Sequence, residues 1–172
     1  MALSYHQLGV LAQARGDYDE ATRQYQRSLD IEERLGDQAG MASGYHQLGM
    51  LAQDHGDYDE AARQYQRSLD IEERLGNQAG MASSYSQLGV LDADRDGPAA
   101  AVIGWHVKAL AIRLQLGVPQ AVFDLRRLGA CRRELGAEPF TGLLAQAAGD
   151  TELVVTIASL LDQVDAADDG TA

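Results

Sequence analysis

The chain has 172 residues, 45% of them hydrophobic, and a formal net charge of −12, so it can bury a core and carries a strong acidic excess. That excess argues against nucleic acid and anionic membrane surfaces as partners, because binding to phosphate draws on clustered Lys and Arg. Cys131 is the single cysteine, which rules out an internal disulfide or a thiolate metal cluster and fits a reducing cytoplasm.

No basic start followed by an apolar run opens the chain, and nowhere do about 18 apolar residues run together, so neither an export signal nor a membrane span is expected. Lys108 is the only lysine against many arginines, a bias expected of a GC-rich, bacterial gene.

Residues 1–40 and 41–80 align without a gap and differ at seven positions: Leu3/Ser43, Ser4/Gly44, Val10/Met50, Ala14/Asp54, Arg15/His55, Thr22/Ala62 and Asp37/Asn77. Such a period is the mark of a stacked repeat architecture. In each copy a first helix carries Tyr5, Leu8 and Ala12 on one stripe, and a second carries Tyr18, Ala21, Tyr25, Ser28 and Ile31. Gly16 separates them. Asp17 with Glu20, and Asp57 with Glu60, read as N-caps with capping-box partners. The second helix ends at Leu35-Gly36, after which Asp37 or Asn77 can cap the next helix.

A third unit, residues 81–118, opens with "MASSYSQLGVL" and then decays. It gains one residue after Leu91, so Gly56 is matched to Gly97 and Leu75-Gly76 to Leu116-Gly117. A weaker fourth unit covers residues 119–149, with its own Leu128-Gly129. Pro98, Pro119 and Pro139 each fall where a helix is expected to start, a position that tolerates a missing N–H. Residues 150–165 read as a last helix with Val154, Ile157, Leu161 and Val164 on one face and acids on the other, as a cap needs; residues 166–172 read as a disordered acidic tail. Met1 shares its register with Met41 and Met81, which raises the expectation that residue 1 is an internal position of a longer array.

The stretch "YHQLGVLAQARGDYDEATRQYQRSLDIEERLGD" at 5–37 and its copy at 45–77 resemble the tetratricopeptide repeat in its longer form of 40 residues, similar to repeats of kinesin light chains, spindle and G-protein adaptors and bacterial signalling ATPases. The match rests on Tyr5 and Tyr45, Leu8-Gly9 and Leu48-Gly49, Gly16, Tyr18, Gly56 and Tyr58, and Ala21 and Ala61. The resemblance implies an all-α, right-handed α-solenoid of stacked helical hairpins with a C-terminal capping helix. It also implies a concave groove lined by the first helices, at His6, Val10, Gln13, His46, Met50, Gln53, Ser86 and Val90. These are not the Lys, Arg and Asn of members that clamp a C-terminal carboxylate.

Several constellations could suggest chemistry. His6 and His46 lie in adjacent repeats, roughly 10 Å apart by usual helix spacing, too far to share an ion; groove contacts or solvation are favoured. Asp92, Asp94, Asp96 and Gly97 match the opening of a calcium loop, but Ile103 stands where the bidentate Glu is required, so an acidic turn is favoured. Glu32-Glu33 and Glu72-Glu73 are neighbours that do not face each other, and with Asp30 to Arg34 and Asp19 to Arg23 they read as a solvated charge ladder. Cys131 stands among Arg126, Arg127, Arg132 and Arg133, which could lower its pKa, though a plain packing role is favoured. No nucleophile elbow or phosphate loop occurs.

The expected function is a protein or peptide recognition module, part of a bacterial regulatory protein, without a cofactor, metal or enzymatic activity. The alternative is a structural spacer or an array that self-assembles by end-to-end stacking of repeats.

Overall fold

A computed structural model describes residues 1–169. Among these there are nine helices and no strand: α1 (Ala2–Ala14), α2 (Tyr18–Leu35), α3 (Gln38–Asp54), α4 (Tyr58–Leu75), α5 (Gln78–Asp94), α6 (Ala99–Leu116), α7 (Ala121–Leu135), α8 (Ala137–Ala148) and α9 (Thr151–Asp169). Helix α9 runs past residue 165, where the sequence places the start of a tail, and residues 170–172 lie outside the described residues. The chain forms two compact units, residues 1–84 and 85–172, divided within α5.

In the first unit, α1 pairs with α2 and α3 with α4, and α2 also packs on α3. Hairpin closure follows from the caps. Asp17 and Asp57 each accept a hydrogen bond from the backbone N–H three residues on, and Gly36 and Gly76 end the second helices in the left-handed conformation. The return half of the expected capping box is not made: the Glu20 carboxylate turns instead to Arg23 and Gln24. Arg23 therefore pairs with Glu20 at i,i+3 and not with Asp19, and Arg34 donates to the Asp30 carbonyl at 3.0 Å.

Tyr25 and Tyr65 are fully buried, and glycine makes room for them. A Cβ on Gly9 or Gly49 would lie 2.7 Å from the tyrosine ring, which explains the glycine at this register in the first two copies. Ala12, Ala21, Tyr25, Leu29, Leu48 and Leu51 form one apolar cluster. Outside it, Arg27 lies over Tyr5 at 5.8 Å and Arg67 over Tyr45 at 5.5 Å, the same cation–π contact in both copies.

Glu32 and Glu72 depart from the expected solvated ladder, being only 6% and 9% exposed. Each falls on the stripe that faces the next helix, where glycine leaves space; a Cβ on Gly40 would lie 2.8 Å from Glu32 Cγ. Ser28 donates to Glu32 at 2.9 Å, while one oxygen of each carboxylate has no hydrogen-bond partner. Burial pushes the Glu72 pKa up, and its bond to Asn77 partly counters this.

In the second unit, Ile103, Val107, Leu110, Leu125, Leu128, Phe140, Leu144, Ile157 and Leu161 form the core. Ile157 and Leu161, two of the residues read as the inner face of the last helix, are fully buried, and α9 packs on α7 and α8. The turn before α6 corrects the placement of the extra residue. Asp96, at φ 53°, takes the left-handed place that Gly56 holds at φ 75°, and Gly97 N–H bonds to the Asp92 carbonyl as Asp57 N–H does to Ala52. Gly97 therefore shares Asp57's place in the turn, while Pro98 shares its place as N-cap, its carbonyl accepting from Val102 N–H at 3.2 Å as that of Asp57 does from Ala61 N–H, so the extra residue lies within Gly97-Pro98. Pro119 lies in the turn before α7, and Pro139 in the first turn of α8.

Candidate functional site: the first-helix faces

In the first unit, α1 carries His6, Val10 and Gln13, and α3 carries His46, Met50 and Gln53, at one register. Apart from Val10, which is 46% exposed, all are partly exposed. The same tyrosine supports each set. The Tyr25 hydroxyl donates to Gln13 Oε1 at 3.1 Å and the Tyr65 hydroxyl to Gln53 Oε1 at 2.9 Å. His6 meets Tyr25 edge-on at 5.3 Å between ring centroids, and His46 is tilted over Tyr65 at 5.5 Å. Burial lowers the His46 pKa below the ordinary imidazole value.

The second unit treats the equivalent positions differently. Val90 remains partly exposed, but Ser86 is 4% exposed and does not line an open face. Its hydroxyl donates to Asp124 Oδ1 at 2.6 Å. Asp124, fully buried, also accepts from His106 Nδ1 at 2.9 Å and is paired with Arg113, which donates in addition to Ser86 Oγ at 2.8 Å. The four residues resemble a Ser-His-Asp set in name only. Ser86 bonds to the carboxylate and not to the imidazole, and His106 Nε2 is buried against Gly89 without a hydrogen-bond partner. Catalysis of that kind needs the hydroxyl on the base and access for a substrate, and neither condition is met here.

This cluster was not anticipated, yet the repeat register points to it. His106 stands where Tyr25 and Tyr65 stand, Arg113 where Glu32 and Glu72 stand, and Asp124 where Ser4, Gly44 and Ser84 stand. The third helical pair has exchanged a tyrosine and an acid for an imidazole and a cation, and the fourth supplies the matching carboxylate.

Other features settle into packing. The Asp92 carboxylate accepts from Trp105 Nε1 and from Arg95 Nε, both at 2.9 Å, which commits the first acid of the calcium-like stretch. Burial raises the Cys131 pKa, with Glu134 adding to it, against the lowering expected from the arginines. Arg132 is instead bound to Asp162 at 2.7 Å and to Asp165 of α9. A cleft of about 480 Å³, lined by Arg23, Gln26, Leu48, His55 and Glu60 among others, opens beside α2, α3 and α4, where sequence reasoning named no site. No helix among the described residues is long and apolar enough to cross a membrane.

Sequential helical hairpins joined by tight glycine turns, with a repeated set of side chains on the first helix, define a helical-repeat scaffold. The family model for the tetratricopeptide repeat matches residues 1–74 and again residues 40–115, and the chain belongs to that family. Among solved structures, BtubC (BKLC) from P. vanneervenii is similar at a TM-score of 0.70 and 23% identity, over 94% of this chain and 64% of that one. The apo form of RapI is similar at a TM-score of 0.73 and 14% identity, over 98% of this chain and 71% of that one. This chain thus spans less than two thirds of the length of BtubC. These likenesses show the fold. No curated protein matches the chain in sequence. Repeats of this family typically serve as non-catalytic scaffolds for protein or peptide partners.

Proposed function

We propose that the chain is a peptide- or protein-recognition module that binds its partner along the faces of α1 and α3, through His6, Val10, Gln13, His46, Met50 and Gln53. The observation that carries this reading is the repetition of an imidazole, an aliphatic side chain and an amide at one register, each set supported by a buried tyrosine. A partly exposed apolar side chain between polar groups suits a peptide, whose backbone and side chains need both. The reading includes a cytoplasmic, bacterial setting and a role in regulation rather than catalysis. The net charge of −12 supports a protein partner over nucleic acid or an anionic membrane.

The test is a pull-down from a lysate of the source cell with the intact chain beside a His46→Ala, Met50→Ala variant, circular dichroism confirming that both are folded. A partner retained by the intact chain and lost by the variant supports the reading. Equal retention by both moves recognition to another surface.

A further inference from the structure

The cleft between α2, α3 and α4 shares no residue with the first-helix faces. Its floor is apolar, with Leu48, Leu51 and Ala52 of α3, and its walls are polar, with Arg23 of α2 and Glu60 of α4. At one end His55 meets Tyr18 edge-on at 5.2 Å. Its volume of about 480 Å³ lies in the range of small-ligand sites, which likewise combine apolar surface with a few polar groups.

Gln64 lines this cleft at 8% exposure, and its Oε1 has no hydrogen-bond partner. The Glu60 carboxylate accepts from Gln64 Nε2, which fixes the other end of the amide as the acceptor. A buried acceptor in this state lacks a donor that a ligand can bring. Gln24 has the same register and the same orphaned oxygen, but among the described residues no helix precedes α1 to form the opposite wall.

The third repeat shows what completes this register. Trp105 stands at the place of Gln64, Asp92 at that of Ala52 and Arg95 at that of His55. The Trp105 indole N–H donates to Asp92 at 2.9 Å, Arg95 pairs with the same carboxylate, and the ring stacks on Tyr85 at 5.8 Å. There the chain itself supplies a flat ring and an N–H donor. In the second repeat a glutamine and an alanine supply neither, and the cleft stays open.

We propose that this cleft is a binding site for an indole ring, which lies on Leu48, Leu51 and Ala52 and donates its N–H to Gln64 Oε1. An indole joins a large apolar body to a single donor that needs a partner once buried, which matches an apolar floor with one orphaned acceptor. Free indole and the tryptophan side chain of a peptide carry the same chemistry.

The experiment titrates the isotope-labelled full chain with indole and with N-acetyltryptophanamide and follows its amides by nuclear magnetic resonance. The expected result is a saturable shift of the Gln64 side-chain amide and of the Ala52 and His55 backbone amides. Saturation by indole alone assigns the site to the free ring, and saturation by N-acetyltryptophanamide assigns it to a tryptophan side chain. N-methylindole, which keeps the ring and lacks the donor, should bind about tenfold more weakly than indole. Gln64→Leu should bring indole down to the level of N-methylindole. Gln64→Trp with Ala52→Asp copies the third repeat's arrangement and should abolish the shifts, circular dichroism confirming the helices; Gln64→Leu alone carries the test if that variant does not fold. No saturation at millimolar indole overturns the proposal, as do shifts confined to His6, His46 and Met50, equal binding of indole and N-methylindole, or indole binding undiminished by Gln64→Leu.

Discussion

Replacing Asp124 with alanine removes the carboxylate that Ser86, His106 and Arg113 share. Asp124 is fully buried and the Arg113 side chain is 10% exposed, so water cannot take over the vacated contacts. Removing one partner of a buried ion pair costs about 3–5 kcal/mol, most of it from the charge left behind. The lost hydrogen bonds are part of that cost, since the members of a shared network do not add. Adding Arg113→Met removes the stranded cation, and the double variant should recover at least about 2 kcal/mol of the loss. The assay is urea unfolding followed by Trp105 fluorescence. Trp105 is the only tryptophan, and it stacks on Tyr85 at 5.8 Å and donates to Asp92, so its emission reports the second unit. A cost below about 1 kcal/mol for Asp124→Ala, or a double variant no better than the single one, would refute the claim that this cluster is a buried charge network.

Gly49→Ala places a methyl group 2.7 Å from the Tyr65 ring, and overpacking of this kind should cost about 1–3 kcal/mol in thermal unfolding, whereas alanine at an exposed helix position would be favourable. Glu72 is held above its ordinary pKa by burial. Its stabilising contribution is therefore present below the unfolded value of about 4.3 and is lost as the pH rises through the folded pKa. Glu72→Gln should accordingly raise the urea midpoint near pH 7 and give no gain near pH 4. For His46 burial acts in the opposite sense, and a titration by nuclear magnetic resonance should place its midpoint below the free imidazole value of about 6.5. A midpoint at or above that value contradicts the partial burial of the ring on Tyr65.

The hairpins were legible because repetition exposes every rule twice. Asp17 and Asp57, Gly36 and Gly76, and Tyr25 and Tyr65 each do the same thing in the same place. What escaped the sequence was context between helices. Glu32 looks like a surface acid until the glycines at 40 and 44 are seen to open space for it. Ser86 reads as a groove residue by register, but an aspartate 38 positions away draws its hydroxyl inward. The turn before α6 misled for a different reason: the glycine is visible in the sequence, while the residue that adopts the left-handed conformation is Asp96, a type that tolerates it. Helix α9 extends beyond residue 165, although composition alone marks the acidic end as unlikely to be ordered. The site is the least legible part, since periodicity names a face but not its ligand.

The central claim is that ligand lies along the first helices. The most direct measurement places a photoreactive phenylalanine analogue at position 50, or at Gln66 on the exposed side of α4, and irradiates each protein in a lysate of the source cell. The account predicts a discrete protein adduct from position 50 and none from position 66; adducts from position 66 alone, or equally from both, would contradict it.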